Sequence, residues 1–150
     1  IGQYCVGMVR HLGYQDYDKA VLWYKKSAEN GYYRAQNNLA NFYMNGTGVG
    51  QNYNKAIFWY EKASDQGDAL AKSNLGQMYA LGTGVNQDFS IAAKFFQEAA
   101  NQGNSIAQYN LGVAYREGKG LNQDYELAKE WFLKSANQPM PVHFCCHQQQ

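Results

Sequence analysis

Apolar residues recur along the chain at helical spacing, and that pattern itself returns every 36 residues. Ala35, Leu39, Ala40 and Tyr43 fall at i, i+4, i+5 and i+8, which gathers them on one face of a helix. The run ends at Asn45-Gly46-Thr47-Gly48, where Gly46 predicts a helix stop and Gly48 a sharp turn. Val49 is expected to plug that turn against the core. A second helix is predicted from Tyr53, Ala56, Ile57, Trp59, Tyr60 and Ala63, capped by Asn52 and closed by Gly67. Small residues at Ala56, Ala63, Gly76, Ala92, Ala99 and Gly112 predict close helix contacts, with large aromatics filling the remaining space.

The segment Ala35-Gln36-Asn37-Asn38-Leu39-Ala40-x-x-Tyr43-x-x-Gly46-Thr47-Gly48-Val49 has two later copies, beginning at Ala71 and Ala107. The second-helix segment recurs as well: Ala92-x-x-Phe95-Phe96-x-x-Ala99 follows Ala56-x-x-Trp59-Tyr60-x-x-Ala63. Asp88 and Asp124 stand where Asn52 caps its helix. Each unit is therefore a helical hairpin, and a fixed period of this length predicts an all-α solenoid.

A first, abnormal unit precedes these copies. Ile1-Gly2-Gln3-Tyr4-Cys5-Val6-Gly7-Met8 aligns with Ile106 to Val113, and Gln15-Asp16-Tyr17 aligns with Gln123-Asp124-Tyr125. Between those anchors three residues and the Gly-x-Gly-Val turn are missing. Arg10 and His11 in this loop mark either a functional feature or a drifted end unit, and the second reading is favoured because solenoid ends are atypical. The expected organisation is four antiparallel helix pairs at about 1–33, 34–69, 70–105 and 106–138, then a flexible tail at 139–150. Pro139 and Pro141 in that tail block a regular helix.

Composition narrows the function classes. The 150 residues carry a net charge of +1, so no global electrostatic case exists for nucleic acid or an anionic membrane. No apolar run has the length of a membrane-spanning helix. The chain begins at Ile1, which reads as an excerpt of a longer protein. The three cysteines, Cys5, Cys145 and Cys146, give no pair inside a unit and so no disulfide-stapled scaffold. A reducing cytosol fits that usage and an oxidising compartment stays open.

These motifs resemble the Sel-one-like repeat family, a relative of the tetratricopeptide repeats. Its pattern A-x-x-x-L-G-x-x-Y-x-x-G-x-G-V-x-x-D-x-x-K-A-x-x-W-x-x-K-A-A-x-x-G fits residues 35 to 67, 71 to 103 and 107 to 136, and residues 1 to 31 with the short loop. The resemblance implies a right-handed superhelix and work as a scaffold or adaptor, with another protein or peptide segment as partner. It implies no cofactor and no enzymatic activity. Ala40 departs from the family glycine at small cost within a helix.

Several candidate chemistries are weaker. The glycine turns follow no strand and lack a Gly-Lys-Ser/Thr sequence, so they read as turns rather than phosphate loops. His143-x-Cys145-Cys146-His147 does not have the spacing of a structural zinc site. The acids Glu61, Asp65, Glu98, Glu117 and Glu130 stand at exposed helical phases beside lysines and form no acid/base pair. Some cysteine-rich members of the family are linked to β-lactam or cell-wall hydrolysis, but their cysteines pair within each unit and units two to four here have none. A spacer role within a longer protein is a further alternative.

Asn38, Asn74 and Asn110 recur at one register position. A structural role, such as holding backbone at the joint between units, is favoured over a ladder gripping a partner. In tetratricopeptide-like stacks the first helix of each unit lines the concave side. By that analogy the protein-binding face comprises Arg34, Asn37, Asn41 and Asn45, then Leu70, Ser73, Gln77 and Leu81, then Tyr109, Val113 and Arg116. Amides there can pair with an extended backbone, arginine with carboxylate, and Leu or Tyr can anchor apolar side chains.

Overall fold

The computed structural model describes residues 17–137. The whole first helix predicted for unit one, the Arg10–Tyr14 loop and the 139–150 segment lie outside the described residues.

The described residues form seven α-helices: α1 Tyr17–Glu29, α2 Tyr33–Asn45, α3 Tyr53–Asp65, α4 Ala69–Leu81, α5 Phe89–Asn101, α6 Ser105–Glu117 and α7 Tyr125–Ala136. The chain is an all-α solenoid. α2 packs on α3, α4 on α5 and α6 on α7 as hairpins, and α1, α3 and α5 each pack on the following helix. Each of these joints is between neighbours in sequence, as nearest-neighbour stacking requires.

Local chemistry sets the helix ends. The Asn52 side chain accepts from the Lys55 amide at 2.9 Å. Asp88 accepts from the Ser90 and Ile91 amides at 2.9 Å, and Asp124 from the Glu126 and Leu127 amides at 3.0 Å. These are the three predicted caps. Asp88→Ala strips two amides of their acceptor and is expected to lower stability by about 1 kcal/mol, read from a urea melt, with Asp88→Asn recovering most of it. An unaltered midpoint for Asp88→Ala would remove the cap from the fold's support.

α2, α4 and α6 close on Gly46, Gly82 and Gly118 in left-handed conformation, φ 69°, 68° and 65°. The turn that follows is held by a device the sequence reading missed. Gln51, Gln87 and Gln123, one period apart, each donate a side-chain N–H to the end of the preceding helix: Met44 O at 2.9 Å, Ala80 O at 2.8 Å and Arg116 O at 2.8 Å. Val49 lies half-buried against the core, as expected.

The core runs along the stack. Ala35, Leu39, Ala71, Leu75, Ala107 and Leu111 are buried at successive levels beside Ala56, Ala63, Ala92 and Ala99. Gly76 and Gly112 show why small residues recur there. A β-carbon at Gly76 would stand 2.7 Å from the Phe96 ring, and one at Gly112 2.8 Å from the Phe132 ring. Burial of these apolar surfaces is the main favourable term for the stack.

The candidate site: the face of the first helices

The C-terminal halves of α2, α4 and α6 lie side by side and leave three hollows along the stack. One, of about 450 Å³, opens between α4, α5 and α6. Leu81, Phe89, Phe96 and Val113 give it apolar walls, and Gln77 and Asn110 add amides. A second hollow of about 190 Å³ lies between α2 and α4 and takes in Asn41, Asn45, Gln77 and Leu81. The third, about 230 Å³, is lined by Asn38, Asn41, Asn45 and Thr47 with Tyr17 of α1.

Charge gathers at the rim of the hollow between α4, α5 and α6. Glu117 receives Lys119 Nζ at 2.7 Å and Arg116 at 2.8 Å. Those two cations hold its exposed carboxyl below the usual carboxylate range. Lys119 also lies over the Phe89 ring, 5.4 Å from its centre.

Of the predicted site residues, Asn41, Asn45, Gln77, Leu81 and Val113 come together on this face. Leu81, 73% exposed, is the most open large apolar side chain among the described residues. Asn37 and Ser73 do not belong to an accessible face. They are 2% and 0% exposed, because their helix position points at the next unit rather than outward. Leu70 sits exposed at the start of α4, away from the hollows' linings. Arg34 stacks on Tyr33 at 5.8 Å and lies near enough to Asp68 to draw its pKa down. Burial outweighs that pull and raises the Asp68 carboxyl on balance. Tyr109 packs on Phe132 with ring centres 5.5 Å apart, and Arg116 lies over the same ring at 5.9 Å. Both belong to the far end of the stack.

Among the recurrent asparagines, Asn74 takes the favoured structural role at a joint between units. Asn74 donates to the Asn37 side chain at 3.1 Å, so it ties two units together through amides and not through backbone. The backbone role falls to Gln36 and Gln108, which donate to Ala28 O at 3.1 Å and Ala100 O at 3.2 Å. Asn110 lines the hollow between α4, α5 and α6. Phe89 and Phe96 of α5, outside the predicted set, also line this hollow, and the aromatic recurrence at Phe96 marked it only as core.

Among the described residues no three His, Cys, Asp or Glu side chains gather as a metal site, and no helix is long and apolar enough to cross a membrane. The His143–His147 cluster lies outside the described residues.

The family model for the Sel1 repeat matches four times, over residues 2–32, 34–68, 69–104 and 105–140. The chain belongs to the Sel1 repeat family. Sel1 repeat proteins are generally protein-interaction scaffolds, typically without enzymatic activity. The chain is similar to a Sel1 repeat protein from Oxalobacter formigenes, at 34% identity with a TM-score of 0.84 over 89% of this chain and 56% of that one. It is also similar to a protective antigen of uropathogenic Escherichia coli with an SLR fold, at 30% identity and TM-score 0.57 over 89% of this chain and 37% of that one. This Sel1 repeat chain thus spans only about half, or less, of those two relatives. Helicobacter pylori cysteine rich protein B shares the fold, at 22% identity and TM-score 0.64 over 81% of this chain and 86% of that one. No curated protein matches the chain.

Proposed function

We propose that this chain is a non-enzymatic scaffold that holds a peptide segment of another protein along the concave face formed by α2, α4 and α6. The observation that carries this reading is the 450 Å³ hollow between α4, α5 and α6. Its apolar walls suit one or two aliphatic or aromatic side chains of a partner. Gln77 and Asn110 beside them suit the partner's backbone, since an amide both donates and accepts. The smaller amide-lined hollows continue that path past Asn41 and Asn45. An open, elongated face with one apolar anchor point fits recognition of a segment rather than chemistry on a small substrate.

A random-peptide display library selected on the chain is the test. Enriched peptides are expected to share an apolar anchor and to bind Leu81→Asp about tenfold more weakly, a loss of ~1.4 kcal/mol. The melting temperature should not move, because Leu81 projects into solvent. Enriched peptides that bind Leu81→Asp and the parent chain equally would remove this face from the function.

A further inference from the structure

We propose, building on that groove, that it reads its partner one repeat at a time and that Lys119 selects an acidic side chain beside the apolar anchor. The occupant is a peptide segment with an aspartate or glutamate close to its anchor and uncharged side chains towards α2. The three hollows have a common plan. Positions one period apart line each of them: Asn38, Asn74 and Asn110 from the first helices, and Thr47, Thr83 and Lys119 from the glycine turns. The helix ends add Asn45, Leu81 and Glu117. The asparagine is the same in every unit. The turn residue and the helix-end residue change from unit to unit, so they are the positions able to tell one partner side chain from another.

Charge decides what the fourth unit asks for. Among the residues lining the three hollows, only Glu117 and Lys119 are charged. Lys119 Nζ meets the Glu117 carboxylate at 2.7 Å, and Arg116 meets it at 2.8 Å, so the three groups sum to +1. A partner cation arriving there would face two resident cations around one carboxylate, whereas a partner carboxylate is drawn in. Lys119 also has the means to receive it. An ammonium carries three N–H donors and Glu117 takes one, while the side chain is 49% exposed.

The lysine is already placed. Its ammonium lies 5.4 Å from the centre of the Phe89 ring, and Phe89 is a wall of the same hollow. Held by Phe89 and Glu117, the side chain has little rotamer freedom left to lose when a carboxylate arrives. Its position at the apolar wall sets the acid next to the anchor along the segment. Thr47 and Thr83 offer hydroxyls in the other two hollows, where a charged partner side chain finds no counter-charge.

The test selects a random-peptide library, fused through its C-terminus so that the carboxylates are side chains, on the parent chain and two variants. The parent should enrich an apolar anchor with an aspartate or glutamate nearby. Lys119→Thr, which makes this turn like the other two, should keep the anchor and lose the acid. Thr83→Lys should enrich a second acid on the α2 side of the anchor, a gain that misfolding does not produce. Changing the selected acid to its amide should weaken binding to the parent about fivefold and leave binding to Lys119→Thr unchanged. Peptides that bind through Leu81 yet carry no acid, or keep it on Lys119→Thr, overturn the role of Lys119 and leave the groove standing. Peptides indifferent to Leu81→Asp overturn the groove and this inference with it.

Discussion

Tyr60→Ala is expected to lower the unfolding free energy by about 3–5 kcal/mol, the usual cost of deleting a well-packed aromatic ring. Tyr60 is 2% exposed on α3 within the core that joins units one to three. Its hydroxyl donates to the Asn41 side chain at 2.5 Å, so truncation leaves a cavity and also strands a polar group at the edge of the proposed binding face. Against a total stability of about 5–15 kcal/mol, such a loss leaves a marginal protein. Tyr60→Phe keeps the ring and removes only the hydrogen bond, for about 1 kcal/mol. Thermal melts of the two variants beside the parent chain check this. If Tyr60→Ala melts no lower than Tyr60→Phe, the ring does not hold the joint.

The same side chain gives the stability a pH signature. Burial raises the Tyr60 hydroxyl well above the ordinary tyrosine value of 10.0. In the unfolded chain it ionises near that ordinary value, and in the folded chain it stays neutral. The burial contribution is therefore complete below pH 10.0 and declines as the pH rises above it. Tyr60→Phe should lose less stability than the parent chain over that alkaline range.

Gly120→Ala is the second large effect expected. Gly120 has φ +74°, and a β-carbon built there lands on the Phe89 carbonyl where the α6–α7 turn crosses the start of α5. The left-handed conformation alone costs an alanine about 1–2 kcal/mol. Displacing a backbone carbonyl at the joint should raise the total to about 3–4 kcal/mol. Gly103→Ala separates the two contributions. Gly103 has φ +85° but nothing within 4 Å of the added carbon, so only the conformational cost applies. Urea unfolding of both variants measures the difference. Equal losses would mean that the turn yields and that Gly120 is not pinned by Phe89.

The hairpins were legible in the sequence because each local signal agreed with the repeat. Asn52, Asp88 and Asp124 stand directly before aromatic residues that open helices, and Gly46, Gly82 and Gly118 follow the last apolar position. The site was less legible because a first helix in a stack is hemmed in by its own partner, the preceding unit and the following one. Only a narrow strip stays open, which keeps Asn41, Asn45, Gln77, Leu81 and Val113 and excludes Asn37 and Ser73. Periodicity marks a position as recurrent without saying which neighbour it faces. Asn37, Ser73 and Tyr109 share one register position, yet only Tyr109 is exposed, since no described unit follows it. The aromatic walls from α5 were hidden for a related reason: Phe96 serves core and groove at once.

Contacts confined to adjacent hairpins make length a free variable for such a chain. Inserting or deleting one 36-residue block re-forms a single seam and leaves every other seam as it was. Duplication in the coding sequence could thus extend the proposed binding track by whole blocks, whereas a globular core would have to be rebuilt throughout.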